Sequence, residues 1–199
     1  MSPTRFQWLI RATVLLLLVT VLAIGVIASG IFDPAPAGTL LWHLDGKRLS
    51  PSAETRDITW LDENVPDTPI TIHVTAVHNS GEEDIGYGLV LGDEEAYLAI
   101  AVSPLGYLAI WQSDVQSSGS ADSYLLEWQT WPHVKTDGSS NEIWVDIAGS
   151  RAAVRINREW LWEGEIAAGS RNIGLMAESF ADPAVIDFQT VELFAKSDN

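Results

Sequence analysis

The chain has 199 residues, enough for one ordinary domain and a small appendage. Its 27 acidic residues against 11 basic ones leave a net charge of −16, a field that repels phosphate backbones and anionic headgroups and excludes a nucleic-acid partner. With no cysteine there are no disulfides, no thiolate metal sites and no thiol catalysis.

The first element is apolar. From Ala12 to Phe32 the chain carries no charge. At about 1.5 Å per residue, a helix of that length covers one hydrocarbon core of roughly 30 Å. Arg5 and Arg11 precede the run and Asp33 follows it. The positive-inside bias therefore predicts residues 1–11 in the cytoplasm, a single transmembrane signal anchor over 12–32, and the remainder outside the cell membrane. The rival reading is a cleaved signal peptide, because Val26-Ile27-Ala28 and Ala28-Ser29-Gly30 place small residues where a peptidase cuts. Both readings export the acidic part. Residues 33–38, with prolines at 34 and 36, read as a short stiff spacer.

Residues 39–196 alternate with a period of two, broken by turn residues every 8–12 positions, which predicts antiparallel strands. The expected strands are Thr39–Leu44, Ile70–His78, Ile85–Leu91, Ala96–Val102, Tyr107–Gln112, Tyr124–Thr130, Glu142–Ala148, Ala152–Ile156, Glu159–Trp162, Ile173–Glu178 and Ala184–Phe194. Asn79-Ser80-Gly81, Gly92 to Glu95, Ser103 to Gly106, Asp137 to Ser140 and Gly149-Ser150 are the expected turns. Ser117 to Ser120 reads as a flexible loop. So many short strands predict an all-β, two-sheet sandwich, with a closed barrel as the alternative that periodicity does not separate. In the strand Ala96–Val102 both parities are apolar, as expected for a central strand covered on both faces. Asp146 and Arg155 are expected to pair across a hairpin.

The segment Gly86 to Gln112 resembles the three-strand meander of concanavalin A-like jelly-roll domains, the group that includes LamG and family-16-glucanase-like modules. Asn141 to Gly164 resembles their two-strand unit closed by an Asn-Gly turn, and Ile173 to Leu175 with Val185 to Val191 resembles their final strands. Asn157-Arg158 departs from Asn-Gly, and since arginine costs more than glycine at positive φ, that turn is expected to be wider here. The resemblance implies a jelly roll and leaves function divided among glycan binding, protein binding and glycoside hydrolysis. Family-16 hydrolases carry two glutamates around an aspartate on one strand. Glu82-Glu83-Asp84 approaches that motif but lacks the second glutamate, and no strand face offers two carboxyl groups at the roughly 5–5.5 Å that retaining chemistry needs. The expectation is a non-catalytic chain.

Nine tryptophans supply the candidate ligand contacts. Trp160 and Trp162, two apart, are expected to share a face beside Glu159, Glu163 and Glu165, where flat rings and carboxylates suit a polyhydroxylated ligand and equally a protein interface. Core packing and cross-strand pairing account for tryptophan in strands just as well. Asp137, Ser139 and Asn141 place oxygen ligands as the start of a calcium loop does and are the candidate for a structural calcium. An EF-hand is rejected because its glycine and its closing glutamate are absent, Ala148 standing at the latter place. Ordinary turn chemistry explains the same three residues. The four histidines, His43, His73, His78 and His133, show no metal spacing. No G-x-S-x-G elbow and no phosphate-cradling loop occurs.

The expected function is therefore a membrane-anchored, extracytoplasmic, non-catalytic module that binds a glycan or a surface protein, its partners being the lipid bilayer through residues 12–32 and that ligand. The alternative is an accessory subunit of a larger membrane complex, and a weaker one is a glycoside hydrolase-like enzyme.

Overall fold

The computed structural model describes residues 3–28, 34–35, 38–61, 65–66, 69–114, 122–166 and 172–196. The Arg5 side chain, the end of the expected span at 29–32, Asp33, spacer residues 36–37 and the serine-rich loop 117–120 lie outside the described residues. The chain divides into two compact units, Met1–Ala35 and Pro36–Asn199.

The first unit is a helix, α1 (Pro3–Ala28). It starts ahead of the expected Ala12, since a proline in the first helical turn lacks only an N–H that has no intrahelical partner there. Ile10–Ile27 is long and apolar enough to cross a membrane, and its described side chains are exposed. Thr20 Oγ1 donates to the Leu16 carbonyl at 2.9 Å, so the hydroxyl in this apolar stretch is satisfied by the helix itself.

The second unit is a sandwich of two six-stranded antiparallel sheets. In chain order its strands are β1 (Thr39–Leu49), β2 (Arg56–Trp60), β3 (Ile70–Gly81), β4 (Ile85–Gly92), β5 (Ala96–Val102), β6 (Tyr107–Asp114), β7 (Ser123–Thr130), β8 (Asn141–Ala148), β9 (Arg151–Ile156), β10 (Glu159–Glu165), β11 (Asn172–Ser179) and β12 (Ala184–Ala195). The first sheet runs β1-β12-β3-β8-β9-β10 and the second β2-β11-β4-β5-β6-β7. Two open sheets, each with free edges, decide against the barrel.

Alternating residues from both sheets meet in one core: Ile72, Val74, Ile143, Val145 and Val154 from the first sheet, and Leu89, Ile100, Leu108, Ile110 and Leu175 from the second. Each such side chain, fully buried, contributes roughly 1.5–3 kcal/mol. A register shift between Phe188 and Thr190 lets Phe188 and Val191, three apart, both point inward. Strand β5 is covered on both faces as expected. Leu98, Ile100 and Val102 join the core, while Tyr97, Ala99 and Ala101 belong to a second apolar cluster on the other side.

Three expectations need correction. First, β2 was not among the expected strands: it is only five residues long, with polar residues on both parities, and it is held in place by pairing with β11. Second, Asn79-Ser80-Gly81 is not a turn. Strand β3 continues through it, pairing Ser80 with Val185 and Gly81 with Ala184, and the chain reverses at Glu82 to Asp84 instead. Third, the Asn157-Arg158 turn is no wider than Asn-Gly would make it. Both residues adopt positive φ, 51° and 74°, and Ile156 pairs directly with Glu159. Neighbours hold this strained pair: the Asn157 side chain accepts from the Glu142 N–H and donates to Asn141 Oδ1, and Arg158 Nε donates to Glu142 Oε2 at 3.2 Å.

Candidate functional site

The outer face of the second sheet has a floor of very small residues. Gly86, Ala99, Ala101, Ala109 and Gly174 lie on the outward parity of β4, β5, β6 and β11, and such a floor leaves room for large groups above it. Tryptophans fill that room. A Cβ at Gly86 would lie 2.8 Å from Trp128 Cη2, and one at Gly174 would lie 3.0 Å from Trp60 Cε3, so the six-membered ring of each indole comes close over a glycine. Trp111, only 1% exposed, sits between Tyr124 and Trp128 with ring centroids 5.9 and 6.1 Å away, and Trp128 meets Phe180 edge-on at 5.9 Å. The result is a continuous aromatic row.

Arg56 from β2 reaches across this row, its Cζ 5.1 Å from the Trp111 ring centroid. Its Nη2 donates to Asp122 Oδ2 at 2.8 Å and to both Glu178 oxygens at 3.0 and 2.9 Å, and its Nη1 donates to the Tyr97 hydroxyl at 3.0 Å. Burial opposes the guanidinium's charge, but the bond to Asp122 and the charge of Glu178 outweigh it and raise the arginine well above its ordinary range. Two carboxylates thus converge on one nitrogen, and both are engaged by it.

Beside this strut lies an open cleft of about 350 Å³, lined by Asp84, Ile85, Ser103, Tyr107, Tyr124, Trp128 and Phe180. Tyr107, Tyr124 and Phe180 are 40, 43 and 40% exposed. The Phe180 N–H donates to the Asp84 carbonyl at 3.2 Å, which ties the β3–β4 turn to the loop after β11. Glu82 Oε1 accepts from the Asp84 N–H, fixing the turn from the other side. Desolvation, then the charges of Asp122 and Glu178, raise the Tyr124 phenol against the bond from Trp128 and the charge of Arg56. Four aromatic residues, Ser103 and the exposed Asp84 thus line a common space.

The structure distributes the residues singled out from sequence elsewhere. Trp160 and Trp162 do not share a face, because a register shift between them pairs Trp160 with Arg155 but Trp162 with the inward-facing Val154. Trp160 is 48% exposed and stacks on the Arg155 guanidinium, with Cζ 5.3 Å from its centroid, whereas Trp162 packs against the core. Glu159 is exposed, and Glu163 is tied to Arg151. Asp137 takes positive φ in an exposed turn and Ser139 is exposed. Asn141 is fully buried: its Oδ1 accepts from Lys135 N and Asn157 Nδ2, and its Nδ2 donates to the Tyr87 hydroxyl and the Lys135 carbonyl. With both lone pairs used, Asn141 brings no free oxygen to a calcium ion. Among the described residues no group of three or more histidines and carboxylates is arranged to hold a metal. Arg11 lies in α1 and is exposed.

The outer face of the first sheet is ionic. His73 Nδ1 lies 3.0 Å and His43 Nδ1 3.6 Å from Glu192. Asp146 accepts from Thr71 and Lys196, each at 2.6 Å. The expected Asp146–Arg155 pair forms at 3.6 Å, but diagonally, since Asp146 opposes Ala153 and Arg155 opposes Trp144.

Arg56 and Trp60, which border the cleft's aromatic row, lie on β2, which was not expected, and the cleft itself gathers residues from β4, β6, β7 and three loops that no local pattern connects. A signal was present nonetheless. Gly86, Ala99 and Ala101, and Ala109 put small residues on the same parity of three successive strands, which marks a sheet face that large side chains lie upon.

No family model matches the chain, and no curated protein matches it in sequence. Solved structures do resemble it. Fructosyltransferase from A. japonicus superposes with a TM-score of 0.57 at 11% identity over 81% of this chain and 27% of that one. Aspergillus kawachii beta-fructofuranosidase gives 0.55 at 11% identity over 79% and 27%. A functionally unknown protein from Saccharomyces cerevisiae gives 0.53 at 9% identity over 82% and 95%. The chain spans about a quarter of the length of the two fungal enzymes. At such identities the likeness is one of fold, that of a two-sheet antiparallel sandwich.

Proposed function

We propose that this chain is a non-catalytic glycan-binding module, held at the outer face of a membrane by α1 with its N-terminus in the cytoplasm. The observation that carries this reading is the cleft in which Tyr107, Tyr124 and Phe180 expose their rings beside Trp128 and the Asp84 carboxylate. The apolar C–H face of a sugar ring stacks on aromatic faces, and its hydroxyls find donors and acceptors in the tyrosines, Ser103 and Asp84. The two fungal proteins of like fold bear the names of enzymes acting on fructose-containing sugars, which is compatible with a glycan ligand here. The non-catalytic part rests on Asp122 and Glu178, the carboxylates that converge closely on this face, being held by Arg56 rather than facing a substrate.

The test is glycan-array binding by the detergent-solubilised full-length chain. Binding that falls at least about tenfold in Trp128→Ala and in Tyr124→Ala supports the reading. Absence of glycan binding, together with a fixed set of co-purifying proteins, would favour the accessory-subunit reading. That second reading draws on Trp160, an exposed indole on the edge strand β10.

A further inference from the structure

We infer that the glycan taken by the Trp128 cleft carries a free ammonium group, as an unacetylated amino sugar does. This rests on the glycan reading above and names the class of glycan. The aromatic row on the second sheet already holds one cation by two devices at once: the Arg56 guanidinium lies over the Trp111 ring, and the carboxylates of Asp122 and Glu178 accept its hydrogen bonds. The row then continues through Trp128 and Phe180 into the cleft. There the same residue types recur, with Tyr107, Tyr124, Trp128 and Phe180 and the exposed acidic Asp84 lining the space, and no basic residue among the described residues that line it.

An ammonium group over such faces is drawn by the ring quadrupole and paired by the carboxylate, so it uses both parts of the lining. A neutral sugar uses the rings but leaves Asp84 a plain hydrogen-bond acceptor. A uronate or sulfated sugar meets Asp84 as a like charge. The turn that presents Asp84 also carries Glu82 and Glu83, and the chain as a whole has a net charge of −16, so the surrounding field gathers cations and turns anions away. The Asp84 backbone is tied to Phe180 and to Glu82, which holds the carboxylate-bearing turn and the exposed ring together before any ligand arrives.

Three hexamers with one β-1,4-glucan backbone isolate the ammonium group: cellohexaose, its N-acetylated amino-sugar counterpart, and the fully deacetylated amino-sugar hexamer. Each is titrated calorimetrically into the full-length protein in detergent, at mildly acid pH where the amine is protonated, with hexalysine as a control polycation. The expected result is that the deacetylated hexamer binds at least about tenfold tighter than the other two, an advantage that shrinks as salt rises. Asp84→Asn is expected to bring the three hexamers within about threefold of one another. Equal or tighter binding of cellohexaose, abolished by Trp128→Ala, overturns the ammonium inference and leaves the glycan reading standing. Hexalysine binding as tightly as the amino-sugar hexamer, with Trp128→Ala without effect, also overturns it by assigning the attraction to the general charge. Failure of every hexamer together with a blank glycan array overturns both.

Discussion

Arg56 and Glu178 face each other across the β2–β11 ladder, and Arg56 Nη2 donates to both oxygens of Glu178 at 3.0 and 2.9 Å while also holding Asp122 at 2.8 Å. This contact secures the short edge strand β2 and closes one end of the aromatic row. All three side chains are about a fifth exposed. Removing the cation leaves two half-buried carboxylates facing each other without a partner. Arg56→Ala is therefore expected to cost about 3 kcal/mol in urea unfolding. Arg56→Ala combined with Glu178→Gln is expected to recover part of that loss. A double variant no more stable than the single would show that the guanidinium stabilises through packing on Trp111 alone.

Gly86 gives a way to disturb the cleft from beneath. An added methyl would meet Trp128 Cη2 at 2.8 Å, and the indole is the part free to move. Gly86→Ala is expected to tilt Trp128, lower stability by about 1 kcal/mol and weaken glycan binding about tenfold. Unchanged affinity with a shifted Trp128 would remove that ring from the ligand contacts.

Trp160 and Trp162, adjacent on one parity by sequence, are expected to behave differently when truncated. Trp162→Ala opens a hole beside the core and lies over Gly164, so about 2 kcal/mol of stability should be lost. Trp160→Ala removes an exposed ring stacked on Arg155 and should cost under about 1 kcal/mol, with glycan binding intact. Equal losses in thermal denaturation would contradict the register shift between them.

Asn141 makes four hydrogen bonds from a fully buried carboxamide, joining β8, the preceding loop, the Tyr87 hydroxyl and the β9–β10 turn. Asn141→Ala orphans buried partners on each side and is expected to cost about 3 kcal/mol. Asp137→Ala and Ser139→Ala, in the exposed turn, should stay within about 0.5 kcal/mol. Millimolar calcium is expected to leave the melting temperature where it was. A calcium-dependent rise would restore a metal site at this loop.

Acid should unfold the sandwich through identifiable groups. The bond from Arg48 holds the Asp187 carboxyl below its usual range. For Glu142, burial works the other way but is outweighed by the bond and charge of Arg158 and then by His73, and the carboxyl is again lowered. A carboxyl lowered in the folded state contributes stability that is fully present above its unfolded value, about 4, and disappears as pH falls through the lowered folded value. The melting temperature is expected to be flat from about pH 7 to 5 with respect to these two groups and to drop below about pH 4. Asp187→Asn and Glu142→Gln should each shallow that drop. An unchanged slope in both variants would place the acid sensitivity elsewhere.

The class of fold was legible because alternation is a local property. Ile143, Val145 and Ile147 take one parity and Trp144 and Asp146 the other, whatever the rest of the chain does; Ile143 and Val145 are buried in the core as that pattern requires, while Trp144 is buried on the opposite face by its neighbours there. The apolar helix was legible for a similar reason, since an uncharged run long enough to span a bilayer needs no partner to be recognised. The ionic strut beside the cleft was not legible in that way. Arg56, Asp122 and Glu178 are far apart in the chain, and a salt bridge among them is a consequence of strand order, which local periodicity does not encode. One inserted residue also reverses every later side chain on a strand, as the shift between Trp160 and Trp162 did, and such shifts are decided by what the neighbouring strand needs opposite it. The amino-acid order thus settled that this chain makes pleated layers behind a greasy helix. Only the assembled sheets decided which rings stand over glycine, which carboxylate is answered by arginine, and which is left facing solvent.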